Sequence, residues 1–255
     1  MTRNVVFIHS TGLGPFMWAP YKQAAGDARV HMPVNLGYAP GDELARPQTV
    51  GLSDEVDALC RQVGALEGEV HLVAHSYGGL VALEVARSGR LPVRSLYLYE
   101  PVLFASLRER VDDITAEAAN EVRSMYANRP FFDNAEHGGD EAWLEQFVDY
   151  WNGAGAWGAM PPKAKDAMRR VGWKMHLEVR AIATQARPFE DYALPIPTTV
   201  VSGERSKAAS REMSRLLAEH MPMAQSQVLP RLGHMGVMAR PDQVAATLVQ
   251  HLQQP

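Results

Sequence analysis

The chain has 255 residues, 46% of them hydrophobic and 21% charged, enough to bury one large core with room for an insertion. Its net charge of -4 is scattered without a run of one sign, which argues against a nucleic-acid surface, and no segment is long and apolar enough to span a membrane. A single cysteine, Cys60, excludes an internal disulfide and, within the helical stretch Val56-Asp57-Ala58-Leu59-Cys60, reads as a small buried apolar residue. Met1 to Asn4 lead at once into a strand rather than a secretion signal, so a cytoplasmic protein is expected.

In chain order, strands are expected at Val5 to Ile8, Arg29 to Val34, Val70 to Ala74, Ser95 to Tyr99, Thr198 to Ser202 and Gln225 to Leu229. Several are apolar on both faces, the pattern of a parallel sheet covered by helices on each side. Helices are expected at Leu52 to Val63, Leu80 to Ser88, Ala208 to His220 and Pro241 to Leu252, the last with proline in its first turn. The alternation implies a doubly wound α/β fold with a mostly parallel sheet of about six strands. It breaks between 102 and 194, where helical patterns appear around Leu107 to Ala127, Glu141 to Trp151 and Ala164 to Ala186. Four of the five tryptophans fall there, and Pro195 and Pro197 mark the return to the sheet. The expected organisation is a core of residues 1–101 and 195–255 with a helical cap at 102–194.

The chemistry concentrates at Val70-His71-Leu72-Val73-Ala74-His75-Ser76-Tyr77-Gly78-Gly79. An apolar strand turns directly into a helix at Ser76, with Ala74 and Gly78 two places to either side. Such a turn strains the backbone and lifts the hydroxyl clear of the sheet, at the positive end of a helix. Ser76 is therefore the candidate nucleophile. His234, in the loop Leu232-Gly233-His234-Met235-Gly236 between the last strand and the last helix, is the candidate base. The turn His9-Ser10-Thr11-Gly12-Leu13-Gly14 after the first strand supplies an oxyanion hole, with the backbone N–H groups of Thr11 and Tyr77 as donors. Its glycine spacing fits neither a dinucleotide nor a mononucleotide fingerprint.

These segments, with Tyr99-Glu100-Pro101-Val102 and Ser202-Gly203-Glu204-Arg205-Ser206, resemble the α/β-hydrolase superfamily over nearly the whole chain, in particular compact bacterial serine hydrolases with a helical cap. The resemblance implies a catalytic triad and a histidine, His9, that braces the oxyanion turn. Two departures stand out: the N-terminal antiparallel hairpin of many members is lacking, and Ser10 occupies a position where many carry glycine. A third concerns the triad acid. Its usual place, three residues past the glycine ending the corresponding strand, is Ser206, which cannot stabilise an imidazolium as a carboxylate does. Glu100, at the end of the neighbouring strand as in some members, is preferred; Glu204 is the alternative, and a dyad without an acid a weaker third.

The expected activity is hydrolysis of a small, mostly apolar ester, thioester or lactone through an acyl-enzyme intermediate. Trp151, Trp157 and Phe132 of the cap are the candidate substrate-binding residues. Carbon–carbon bond hydrolysis or a lyase reaction on the same scaffold is the alternative, as is a ligand-binding receptor with slow turnover. No metal or other cofactor is expected, since His31, His137, His176, His220 and His251 lack ligand spacing. The expected partner is a small-molecule substrate, with neither nucleic acid nor membrane. His71 and His75 read as structural.

Overall fold

The computed structural model describes residues 2–254. Its core is a sheet of β1 (Arg3–Ile8), β2 (Arg29–His31), β3 (Glu69–His75), β4 (Val93–Tyr99), β5 (Thr198–Gly203) and β6 (Ala224–Leu229), every neighbouring pair parallel, in the order β2-β1-β3-β4-β5-β6. Strand residues alternate between two buried faces. Val6, Ile8, Leu72, Ala74 and Val200 face one cluster, completed by α1 (Leu52–Val63), α2 (Tyr77–Ser88) and α9 (Ala208–His220). Val5, Phe7, Val73, Tyr97 and Val201 face the other, completed by a 3-10 segment, Pro15–Ala25, and by α11 (Pro241–Leu252). Coverage on both faces is why these strands carry continuous apolar runs.

The winding direction changes between β1 and β3: the chain proceeds outward to β2 on one side and to β4, β5 and β6 on the other. Residue pairing aligns Ile8 with Ala74, His75 with Tyr99, and Tyr99 with Val201, so the C-terminal ends of four strands share one edge. An open α/β sheet forms its ligand crevice at such a switch point.

Between β4 and β5 the described residues form helices and turns without a strand: α3 (Phe104–Arg108), α4 (Ala116–Ala127), α5 (Glu141–Asn152), α6 (Ala156–Ala159), α7 (Pro162–Arg170) and α8 (Gly172–Thr184). They enclose a third cluster that includes Phe132, Trp143, Leu144, Phe147, Trp157 and Met175. Two expected helices are each divided. Thr115 caps α4 by accepting the Ala118 N–H (3.4 Å), which separates it from α3. Val171 leaves helical geometry between α7 and α8. The second strand stops at His31, three residues short of expectation, because Pro33 has no N–H and holds Met32 away from regular pairing. A short helix, α10 (Gly236–Ala239), precedes α11. Among the described residues, no helix is long and apolar enough to cross a membrane.

Candidate active site

Ser76 lies between β3 and α2 with φ 56° and ψ −121°, a conformation that costs a side-chain-bearing residue about 1–3 kcal/mol. Its backbone is held from several directions. The N–H donates to Tyr99 O (3.1 Å), and the carbonyl accepts from the N–H groups of Gly79 (2.9 Å) and Val102 (3.2 Å). Glycine at 78 is a matter of space: a Cβ there would stand 2.5 Å from Ile8 O and 2.7 Å from His9 O.

His234 follows β6 and is anchored through its own loop. His75 Nε2–H donates to His234 O (3.0 Å), and the Tyr99 hydroxyl donates to Gly233 O (2.8 Å). The imidazole bridges two groups: Nε2 is 3.1 Å from Ser76 Oγ and Nδ1 is 2.8 Å from Glu100 Oε2. An ionised carboxylate only accepts hydrogen bonds, so Nδ1 carries the proton and the Nε2 lone pair faces the serine hydroxyl. Burial drives His75 well below the ordinary histidine range, and the neighbouring His234 adds to the effect, so His75 stays neutral.

Glu100 is fully buried at the end of β4, with φ 44° and its N–H donating to Val201 O (2.8 Å). Oε1 accepts from Gly203 N–H (2.7 Å) and from the Ser206 hydroxyl; Oε2 accepts from the Ser210 hydroxyl (2.7 Å) as well as from His234. Burial pushes this carboxyl upward, but the bond and charge of His234, with the bonds from Ser206 and Gly203, outweigh it and hold the pKa below the ordinary glutamate value. Ser206 therefore stands at the expected place of the acid as a donor to a carboxylate reaching in from the adjacent strand. Ser206 and Ser210 were not among the expected site residues. The signal available in the sequence was the position of Ser206 itself, where a polar residue replaced the expected carboxylate.

Glu204 is not brought to His234. It is exposed, its Oε2 accepts the Arg231 N–H (2.8 Å), and the turn after Gly203 directs it to the surface. On the opposite side of the serine, Thr11 lies in the turn after β1. The next two amides along the turn are engaged, Gly12 N–H with the Tyr38 hydroxyl (2.8 Å) and Leu13 N–H with Ser10 O (3.3 Å). Tyr77 is the first residue of α2, so its N–H has no carbonyl four residues back within the helix. The Ser10 hydroxyl is buried, 4.0 Å from Met17 Sδ. His9 braces the turn: Nδ1–H donates to Ser10 O (3.0 Å), and Nε2 accepts from Asn35 N–H (3.0 Å). Burial pulls the His9 pKa down to about 4, which keeps it neutral.

Of the three expected substrate-binding residues, only Trp151 approaches the chemistry. Its indole stacks on His234, with centroids 3.8 Å apart and planes 22° apart. It also lines a cavity of about 510 Å³ with Phe104, Met125, Phe147, Tyr150 and Ile182. Ser76 does not line this cavity; the indole is the link between them, and Ser76 and His234 are only 7% and 5% exposed. Trp157 and Phe132 are elsewhere. Trp157 is buried in the insertion, donating Nε1–H to Glu141 (3.0 Å), and Phe132 packs edge-on against Tyr126 (5.5 Å). Both belong to the third cluster, which residues of 102–194 form together with Tyr38. Among the described residues, no group of three or more His, Cys, Asp or Glu side chains is arranged to hold a metal ion.

A profile of the alpha/beta hydrolase family matches residues 5–247. No curated protein matches the chain. Among solved structures, an alpha/beta hydrolase from Sphaerobacter thermophilus DSM 20745 is 20% identical with a TM-score of 0.68, the match covering 99% of this chain and 93% of that one. An enol-lactonase from Burkholderia xenovorans LB400 is 18% identical (TM-score 0.68; 100% and 92% covered). A meta-cleavage product hydrolase from Pseudomonas fluorescens IP01 is also 18% identical (TM-score 0.67; 98% and 90% covered). With the profile spanning nearly its whole length, the chain belongs to the alpha/beta hydrolase family.

Proposed function

We propose that the protein is a serine hydrolase acting on a small, mostly apolar ester, thioester or lactone. Ser76 attacks the acyl carbonyl as His234 Nε2 takes its proton. Glu100 holds the Nδ1–H tautomer and stabilises the imidazolium in its plane, while the Trp151 indole offers it a π-face 3.8 Å away. The backbone N–H groups of Thr11 and Tyr77 receive the oxyanion. His234 then returns the proton to the leaving group, and afterwards activates the water that releases the acid. The observation that carries this reading is the unbroken contact from Ser76 Oγ through His234 to Glu100, at 3.1 Å and 2.8 Å. The helices of 102–194 form the cap of the site, and their apolar cavity beside Trp151 receives the body of the substrate.

The test is labelling with a fluorophosphonate, followed by peptide mass mapping and turnover of chromogenic esters of rising chain length. The label is expected on Ser76. Ser76→Ala is expected to fold, to resist labelling and to lose kcat by several powers of ten. Labelling at another residue, or unchanged turnover in Ser76→Ala, refutes the assignment.

A further inference from the structure

Beneath the oxyanion turn lies a group of charges that the proposed reaction does not use. Lys174 on α8 is 1% exposed, Glu178 one turn later 1%, and Glu55 on α1 2%. The Lys174 ammonium bonds Glu178 Oε1 (2.6 Å) and Glu55 Oε2 (2.7 Å). Taking three charges out of water is expensive, and well-packed apolar side chains often replace such groups without loss of stability. Stability alone is therefore a poor reason for their presence.

Both carboxylates extend toward the candidate oxyanion donors. Glu178 Oε2 accepts from the Tyr38 hydroxyl (2.9 Å), and the same oxygen of Tyr38 accepts the Gly12 N–H (2.8 Å). A phenol has one hydrogen, so a carboxylate that takes it leaves the Tyr38 oxygen free to accept from Gly12. Glu55 Oε1 accepts the Leu36 N–H (2.7 Å), which fixes the loop carrying Tyr38, and its Oε2 lies 3.5 Å from the Tyr77 hydroxyl. The ammonium also lies 5.5 Å and 5.2 Å from the ring centroids of Tyr38 and Tyr77. The insertion presses on the turn directly as well: a Cβ on Gly12 would stand 2.9 Å from Met175 Cε.

We propose that Lys174, Glu55 and Glu178 are positioning residues for the oxyanion hole. Acting through Tyr38, they hold the Gly12 amide inward so that the turn presents the Thr11 amide to the reacting carbonyl. Because Lys174 and Glu178 belong to the inserted helices and Glu55 to the core, docking of the insertion and assembly of the oxyanion hole are one event. This inference rests on the serine-hydrolase reading.

The experiment compares wild type with Tyr38→Phe, which deletes only the phenolic oxygen. Active sites are counted by fluorophosphonate titration, so unfolded protein does not enter kcat. Losing one oxyanion donor costs roughly 100- to 1,000-fold, and displacing one costs part of that. The expected result is a fall of about 10- to 100-fold in kcat, KM within about threefold, and a parallel loss of affinity for a trifluoromethyl ketone transition-state mimic. The substitution leaves the hydrogen-bonded pair His234–Glu100 untouched. A second variant, Glu55→Gln with Lys174→Met and Glu178→Gln, removes every charge while leaving oxygen acceptors. It is expected to fold with a lower thermal midpoint, because both buried amides lose the ammonium that held them, and to lose about tenfold in kcat per labelled site because their orientation toward Tyr38 and Leu36 is no longer fixed. If both variants retain kcat and ketone affinity within about threefold of a labelled wild type, the inference is wrong and the hydrolase reading stands. A wild type that neither labels nor turns over an ester overturns both.

Discussion

Glu100→Gln is the substitution whose outcome the geometry constrains most tightly. Glutamine keeps the shape of the side chain but has one acceptor oxygen and one NH2 in place of two acceptors. The two ends of Glu100 are not equivalent. Oε1 receives the Gly203 N–H, a main-chain donor that cannot turn around, whereas Ser206 and Ser210 carry hydroxyls that can. The amide oxygen must therefore take the Gly203 side, which leaves the NH2 facing His234 Nδ1. That nitrogen must then become an acceptor, the ring proton moves to Nε2, and a donor faces Ser76 where a base is needed. A wrong tautomer of this kind costs roughly 10³- to 10⁴-fold in kcat, or about 4–5.5 kcal/mol. The assay is turnover of a chromogenic ester per folded molecule, with the thermal midpoint and the ¹⁵N shifts of the His234 ring recorded for both proteins. Glu204→Gln is the matched control, expected within about twofold of wild type because its exposed side chain accepts the Arg231 N–H at the surface, away from His234. A folded Glu100→Gln protein with kcat within tenfold of wild type, or a crippling effect of Glu204→Gln, refutes the argument.

Acid should weaken the fold before it reaches ordinary carboxylates. His9, His176 and His251 are each lowered by burial from 6.5 to about 4, so their neutral-state contribution is complete above about pH 6.5 and is lost as pH falls toward 4. Each therefore takes up a proton on unfolding in that window, so stability falls as pH falls through it. Glu100, held below its ordinary value of 4.5, contributes above that value and is lost at lower pH still. Calorimetry should show the thermal midpoint falling steadily from pH 6.5 to 4.5; a flat profile there contradicts the burial argument. Trp151→Ala removes the indole shared by His234 and the cavity. The rate on an acetyl ester should stay within about fivefold, while preference among longer acyl chains shifts about tenfold or more. Equal losses on all chain lengths would overturn a role for Trp151 in acyl-chain selection.

The sheet was readable because strands buried on both faces leave continuous apolar runs, and all six expected strands are present. Helices α1, α9 and α11 have the expected limits because their apolar faces, and for α11 the proline in its first turn, are local features. The segment Pro15–Ala25 gave no such signal: Pro20 interrupts its pattern, and it winds as a 3-10 helix. Ser76 and His234 were visible as local motifs. Glu100 was one of two placements that local spacing allowed, and separating it from Glu204 required the donors Gly203, Ser206, Ser210 and His234 to be seen around one carboxylate. The aromatics of the insertion were the least readable. Trp151, Trp157 and Phe132 are alike in composition, and only packing distinguishes a tryptophan on the imidazole from one bonded to Glu141.

The position of Glu100 has a consequence for how the chain folds. Ser76 and Glu100 belong to one β-α-β unit, whereas His234 arrives 134 residues after Glu100. All four groups that donate to the buried carboxylate lie beyond the insertion, at Gly203 or later. A chain truncated before β5 would have to bury that carboxylate with none of these donors, a cost of several kcal/mol, or leave the end of β4 open to water. The two stretches of core sequence are thus thermodynamically dependent on each other. Glu100 makes the assembly of the strand edge that carries Ser76 and His234 and the cooperative closure of the sheet a single transition.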